Sequence, residues 1–126
     1  MKFEFLHVNL CVSDLEKSLE FYREALDLKE IRRLDFPEFI MVYLTDNKNN
    51  LELELKYLKK PLAAENLLEK ELFHIAMQVD DYDHALQKHK AMNCIAVINE
   101  KAGIYFINDP DNYKIEILPQ NFFYDK

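Results

Sequence analysis

Leu6-His7-Val8-Asn9-Leu10-Cys11-Val12-Ser13-Asp14 returns 67 residues later as Phe73-His74-Ile75-Ala76-Met77-Gln78-Val79-Asp80-Asp81. In both stretches apolar residues alternate with others, the period of a half-buried strand, and a helical pattern follows. In the first copy Ser13, with Glu16 three residues on, reads as a capping box, and Leu15, Leu19, Tyr22 and Leu26 fall on one helical face. In the second copy Asp80 reads as the cap, and Tyr82, Ala85, Leu86 and Met92 form a weaker stripe. The later parts repeat too. Val42-Tyr43-Leu44-Thr45-Asp46 aligns with Ile104-Tyr105-Phe106-Ile107-Asn108, and Leu53-Glu54-Leu55 aligns with Ile115-Glu116-Ile117 at an offset of 62. The second copy is therefore expected to lose five residues between its helix and its third strand.

Each copy reads strand, helix, strand, strand, strand, so the expected class is α+β with two tandem βαβββ modules. The modules fall at about 1–58 and 70–119 of a single domain spanning 1–126. A short linker helix is expected over 61–71, opened by Pro61 and carrying Leu62, Leu67 and Leu68. The aromatic tail Phe122-Phe123-Tyr124 has two readings, a dimer contact or packing on the chain's own core.

Composition narrows the function classes. Among 126 residues, 49% are hydrophobic and 31% charged, which suits a folded globular chain. A formal net charge of −7 argues against nucleic acid and anionic membranes, because a phosphate-binding face needs a basic stripe. The doublets Arg32-Arg33 and Lys59-Lys60 read as solvated faces. Cys11 and Cys94 lie outside any CxxC pair and read as reduced thiols. With no signal-like N-terminal run and no stretch of about 20 apolar residues, the expected location is the cytoplasm. Gly103 is the single glycine. Asn and Asp must then supply the left-handed turn positions, as in 46–50 and 108–112.

The duplication puts His7 and His74 at equivalent points on two strands, and Glu54 and Glu116 at equivalent points on two others. Two imidazoles and two carboxylates suit Ni²⁺, Co²⁺, Zn²⁺, Fe²⁺ or Mn²⁺. Four protein ligands leave two octahedral positions for water or substrate. Taken singly, each residue has a plainer reading: Glu54 and Glu116 would line the solvated face of an amphipathic strand, as would Glu52 and Lys56. Four such residues at matched stations favour the metal. His84 and His89 on the second helix have no counterparts and read as surface residues.

These residues also carry a resemblance. Leu6-His7-Val8, the segment Asp14 to Tyr22, Glu54-Leu55-Lys56-Tyr57, Phe73-His74-Ile75-Ala76 and Asp109-Pro110-Asp111-Asn112-Tyr113-Lys114-Ile115-Glu116 resemble the vicinal oxygen chelate superfamily over nearly the whole chain. The combination His7, Glu54, His74 and Glu116 resembles the glyoxalase I (lactoylglutathione lyase) branch. The resemblance implies half-open barrels around a divalent metal, nickel favoured over cobalt or zinc. It also implies a homodimer whose sites take His7 and Glu54 from one chain and His74 and Glu116 from the other. The implied reaction turns the hemithioacetal of a 2-oxoaldehyde such as methylglyoxal and a thiol into a 2-hydroxy thioester. Glu116 would be the base, with Glu54 as a second catalytic carboxylate. Three thiol-anchoring positions depart from the pattern: Cys11 and Leu58 stand where Arg and Asn are usual, and Lys70 where some members have Arg. Lys59, Lys60 and Lys101 are the candidate replacements. Ring-cleaving dioxygenases and fosfomycin-modifying enzymes would not need Glu54. The same pattern leaves room for an acyl-CoA epimerase or a metal-free small-molecule binding protein.

Overall fold

The expected order of elements occurs twice in the computed structural model, which describes residues 1–2, 6–48, 51–60, 74–120 and 122. The expected linker helix over 61–71 and the tail residues Phe123 and Tyr124 lie outside the described residues. The chain divides into two units, Met1–Ala63 and Ala64–Lys126.

The first unit contains β1 (His7–Val12), α1 (Leu15–Leu26), β2 (Lys29–Asp35), β3 (Phe39–Thr45) and β4 (Glu52–Leu58). Its sheet order is β1-β4-β3-β2, with β1 parallel to β4 and the other pairs antiparallel. Strand alternation sorts the side chains into two faces. Val8, Leu10, Leu53, Leu55, Val42 and Leu44 share the apolar face, and α1 lies against β4. Fully burying side chains such as Leu10, Leu55 and Val42 contributes about 1.5–3 kcal/mol each. The buried stripe of α1 runs through Leu15, Ser18, Tyr22 and Ala25, with Leu19 and Leu26 half-buried on its flank.

The N-cap of α1 is Asp14, not Ser13: its carboxylate accepts from the Lys17 N–H at 3.1 Å. Strand β1 keeps pairing with β4 as far as Val12, so Ser13 is spent on the bend, and Glu16 serves only as an acidic first-turn residue. The helix ends at Asp27, in the left-handed region at φ 57°.

The second unit contains β5 (His74–Val79), α2 (Tyr82–Ala91), β6 (Ile95–Asn99), β7 (Ile104–Asn108) and β8 (Lys114–Pro119), in sheet order β5-β8-β7-β6. Again the first and last strands are parallel. The cap of α2 is Asp81 rather than Asp80, accepting from the His84 N–H at 3.1 Å. His84 is exposed as expected, but His89 is not a surface residue: it is 2% exposed. It continues the Tyr82, Ala85, Leu86 stripe by one helical step, and its Nδ1 lies 2.8 Å from the Tyr105 hydroxyl.

Asparagine supplies left-handed turn positions as anticipated, although of the two stretches named only 108–112 holds one among the described residues. Asn93 and Asn112 take positive φ at 57° and 66°, alongside Gly103 at 77°. In the last turn the Asp109 carboxylate accepts from the N–H groups of Asp111 and Tyr113 at 2.8 and 2.9 Å, an arrangement that folds the chain back into β8.

One alignment read from the sequence is corrected. Tyr43 pairs with Glu54, whereas the residue that pairs with Glu116 is Phe106, not Tyr105. The second copy loses four residues before β7 and one more in the β7–β8 turn, rather than all five ahead of its third strand. A one-residue slip moves a side chain to the other face of the sheet. Tyr43 therefore stands beside Glu54, while Tyr105 turns to the opposite face and meets His89 and Tyr82.

Two substitutions test this account by denaturant midpoint. Asp109→Ala strands two buried N–H groups and should lower stability by about 1–3 kcal/mol. Tyr105→Phe removes the hydroxyl bonded to buried His89 and should also cost about 1–3 kcal/mol. Because Tyr105 faces away from Glu116, metal content should not change in that variant.

Candidate metal centre

Each unit places one imidazole against one carboxylate. His7 Nε2 lies 3.6 Å from Glu54 Oε2, and His74 Nε2 lies 3.6 Å from Glu116 Oε1. The parallel pairing brings them together: Glu54 lies opposite Asn9, and His7 is two residues back on the same face of β1. In the second unit Glu116 lies opposite Ala76, with His74 two residues back. The aromatic flank repeats as well. His7 meets the ring of Tyr43 edge-on at 5.9 Å between centroids, and His74 meets Phe106 likewise at 5.8 Å.

The four residues singled out from the sequence thus form two matched pairs. Among the described residues, no three His, Cys, Asp or Glu side chains converge as a ready-made cluster. The donor chemistry of each pair still fits a divalent ion. Two donor atoms each about 2.1 Å from one ion and at right angles stand roughly 3.0 Å apart. The observed 3.6 Å needs only a small closure. Neutral imidazole with carboxylate is the donor set of Ni²⁺, Co²⁺, Zn²⁺ and similar ions.

The surroundings of the two carboxylates differ. Glu54 is not on a solvated face: it is 7% exposed. Asn9 Nδ2 donates to its Oε1 at 2.7 Å, and the Tyr43 hydroxyl donates to its Oε2. Burial works against its ionisation, but the hydrogen bonds from Tyr43 and Asn9, with His7 and Lys56 nearby, outweigh this and hold the carboxyl below its usual range. The same bond to Glu54, helped by burial, pushes the Tyr43 phenol up.

A full row crosses the first sheet from Asn9 through Glu54 and Tyr43 to Arg32. The Arg32 guanidinium sits 4.1 Å over the Tyr43 ring and donates to Glu52 at 2.6 Å. Sequence reasoning missed Asn9, Tyr43 and Arg32. The signal was the shared strand period of Asn9 with His7 and of Glu52 with Glu54, which marks one face but not which strands adjoin.

The corresponding row in the second sheet is Ala76, Glu116, Phe106 and Val97. Among the described residues none of its members donates a side-chain hydrogen bond to Glu116. His74 and Glu116 are also the more open pair, with half of the His74 side chain and about a fifth of the Glu116 side chain exposed.

Other residues noted in the sequence have plainer places. Cys11 and Cys94 are thiols rather than a disulfide, and burial pushes the Cys94 thiol up. Lys59 pairs with Asp35 at 2.8 Å on the exposed edge. Lys56 lies opposite Cys11 on the site face, its ammonium 4.6 Å over the Phe39 ring. No helix among the described residues is long and apolar enough to cross a membrane.

Comparison with known proteins places the chain in a family. Residues 4–117 match the sequence model of the Glyoxalase/Bleomycin resistance protein/Dioxygenase superfamily. The chain is 35% identical to a lactoylglutathione lyase of Neisseria meningitidis, over 90% of this chain and 88% of that protein. It is 30% identical to a lactoylglutathione lyase of Haemophilus influenzae, over 91% of each. Among solved structures, a trypanothione-dependent glyoxalase I of Leishmania major superposes with a TM-score of 0.79 at 28% identity, covering 97% of this chain and 90% of that one. The superfamily implies a divalent metal ion, and the donor set of each His–Glu pair suits such an ion. The chain belongs to the Glyoxalase/Bleomycin resistance protein/Dioxygenase superfamily, and within it is a lyase of the glyoxalase I type.

Proposed function

We propose that this protein converts the hemithioacetal of a 2-oxoaldehyde, methylglyoxal foremost, and a thiol into a 2-hydroxy thioester. The observation that carries the reading is the pair of identical His–Glu contacts, His7 with Glu54 and His74 with Glu116, at matched stations of a duplicated sheet.

His7, Glu54, His74 and Glu116 are the ligands proposed to hold the ion. Nickel is favoured over cobalt and zinc. When bound, a divalent ion stabilises negative charge as it develops on the two neighbouring oxygens of the substrate. Each site is proposed to form across a homodimer, from His7 and Glu54 of one protomer with the partner's His74 and the partner's Glu116. We place the protein in the cytoplasm.

The chemistry of the residues is a proton transfer. The Glu116 carboxylate takes the proton from the carbon bearing the sulfur, and the electron pair left behind forms the carbon–carbon double bond of an enediolate. The protonated Glu116 then returns the proton to the adjacent carbon, the former carbonyl carbon. The hydroxyl on the sulfur-bearing carbon loses its proton as that carbon becomes the thioester carbonyl, and the other oxygen gains one. Nothing is oxidised or reduced overall. Glu116 is favoured as base over Glu54 because Glu54 has both oxygens engaged, by Asn9 and Tyr43.

Glutathione is the first thiol to test, since the relatives are named lactoylglutathione lyases. Cys11 and Leu58 do not reproduce the usual anchors. Lys56, opposite Cys11 on the neighbouring strand, returns a cation to the same part of the face and supports a thiol that carries a carboxylate.

The protein stripped of metal and reloaded with Ni²⁺, Co²⁺ or Zn²⁺ should form thioester from methylglyoxal and glutathione, fastest with Ni²⁺. Glu116→Gln should lower kcat by roughly 10²–10⁴-fold. Stoichiometric metal without thioester formation from glutathione or any other thiol tried would overturn the proposed reaction.

A further inference from the structure

The two carboxylates occupy equivalent rungs but have opposite neighbours. Around Glu54 stand Asn9 and Tyr43, each donating to a different carboxylate oxygen. Around Glu116 the same positions hold Ala76 and Phe106, whose side chains have nothing to donate. Tyr43 is itself held. One side of its ring meets the His7 imidazole and Arg32 covers it at 4.1 Å, while Arg32 is tied to Glu52 at 2.6 Å. The ring of Tyr43, and with it the hydroxyl, is therefore held by two neighbouring side chains. Asn9 lies directly opposite Glu54 on the adjoining strand, so its amide reaches the carboxylate across a single strand spacing, at 2.7 Å.

We infer that Asn9 and Tyr43 are positioning residues that clamp Glu54 as the stationary ligand, and that their replacement by Ala76 and Phe106 in the second unit is what leaves Glu116, the base of the proposed reaction, without such a clamp. This inference rests on the proposed reaction for its catalytic half; the clamp itself does not. A carboxylate fixed at both oxygens loses little further freedom when it takes a metal, and groups that orient ligands in this way commonly change metal affinity about 10- to 100-fold. A carboxylate that must approach two carbons in succession needs the reverse. Two hydrogen bonds would have to break for each movement of Glu54, whereas the residues in the matching positions beside Glu116, Ala76 and Phe106, offer none.

The test separates the two halves by moving the clamp. In the otherwise unaltered protein, Asn9→Ala with Tyr43→Phe should weaken Ni²⁺ binding about 10- to 100-fold by competition with a chelator. Activity should fall at limiting metal and recover at saturating metal. The reciprocal graft, Ala76→Asn with Phe106→Tyr, should keep or tighten Ni²⁺ binding while kcat falls at least about tenfold, about the effect of one added hydrogen bond that must break. The single Phe106→Tyr variant, which adds only a hydroxyl, stands in if the double graft does not fold. Unchanged Ni²⁺ affinity after removal of both donors would overturn the clamp. An unchanged kcat in a folded graft would overturn the assignment of freedom to Glu116. If the unsubstituted protein forms no thioester with any metal, the proposed reaction fails, and the Ni²⁺ affinities alone still decide whether Asn9 and Tyr43 position Glu54.

Discussion

Pairing the first strand of each unit in parallel with the last sets an imidazole within reach of a carboxylate twice over. In β1 and β4 this rung register puts Asn9 against Glu54 and His7 one step along the same face. In β5 and β8 it puts Ala76 against Glu116 and His74 in the same relation. A parallel pair cannot be closed by a short hairpin, so a crossover must come between. The helix and the intervening hairpin supply it, and α1 places its buried stripe against β4. The face that carries the His–Glu pair is the side of the sheet opposite the apolar residues, polar in the first unit because α1 and the leucines claim the other side.

Duplication made the pairs alike, and divergence has made them unequal. Matching distances in the two units show how closely the backbone frame is preserved. The side chains on that frame have drifted in opposite directions. The first unit surrounds its carboxylate with an amide, a phenol and, behind the phenol, a guanidinium. The second surrounds it with a methyl, a phenyl and an isopropyl group. A buried ionised carboxylate is costly unless its oxygens are bonded, which is why Glu54 can be buried and Glu116 remains more open. In the proposed reaction, unequal surroundings draw two roles, ligand and base, from one duplicated residue.

A single residue in a turn has a large share in this outcome. The β7–β8 connection is one residue shorter than its counterpart, so the tyrosine that looks equivalent to Tyr43 faces the other way. Tyr105 became the buried partner of His89, and Phe106 took the place beside Glu116. Had the two turns been equal in length, both carboxylates would have met a phenol.

Much was legible in the sequence because it depends on local period and on repetition. The two βαβββ modules follow from alternation, helical stripes and turn residues, and the matched His and Glu positions follow from superposing the copies. Asn112 at positive φ follows from the scarcity of glycine. What the sequence left open depends on which strands adjoin and in what register. Glu54 looked solvated because Leu53 and Leu55 are the apolar partners in its strand, and only neighbours from β1 and β3 bury and bond it. His89 looked like a surface residue because an imidazole on a weak stripe gives no sign of a phenol waiting on β7. Local periodicity encodes which face a residue takes; the partner across the sheet is set by loop length and strand order, and these fix the chemistry of each carboxylate.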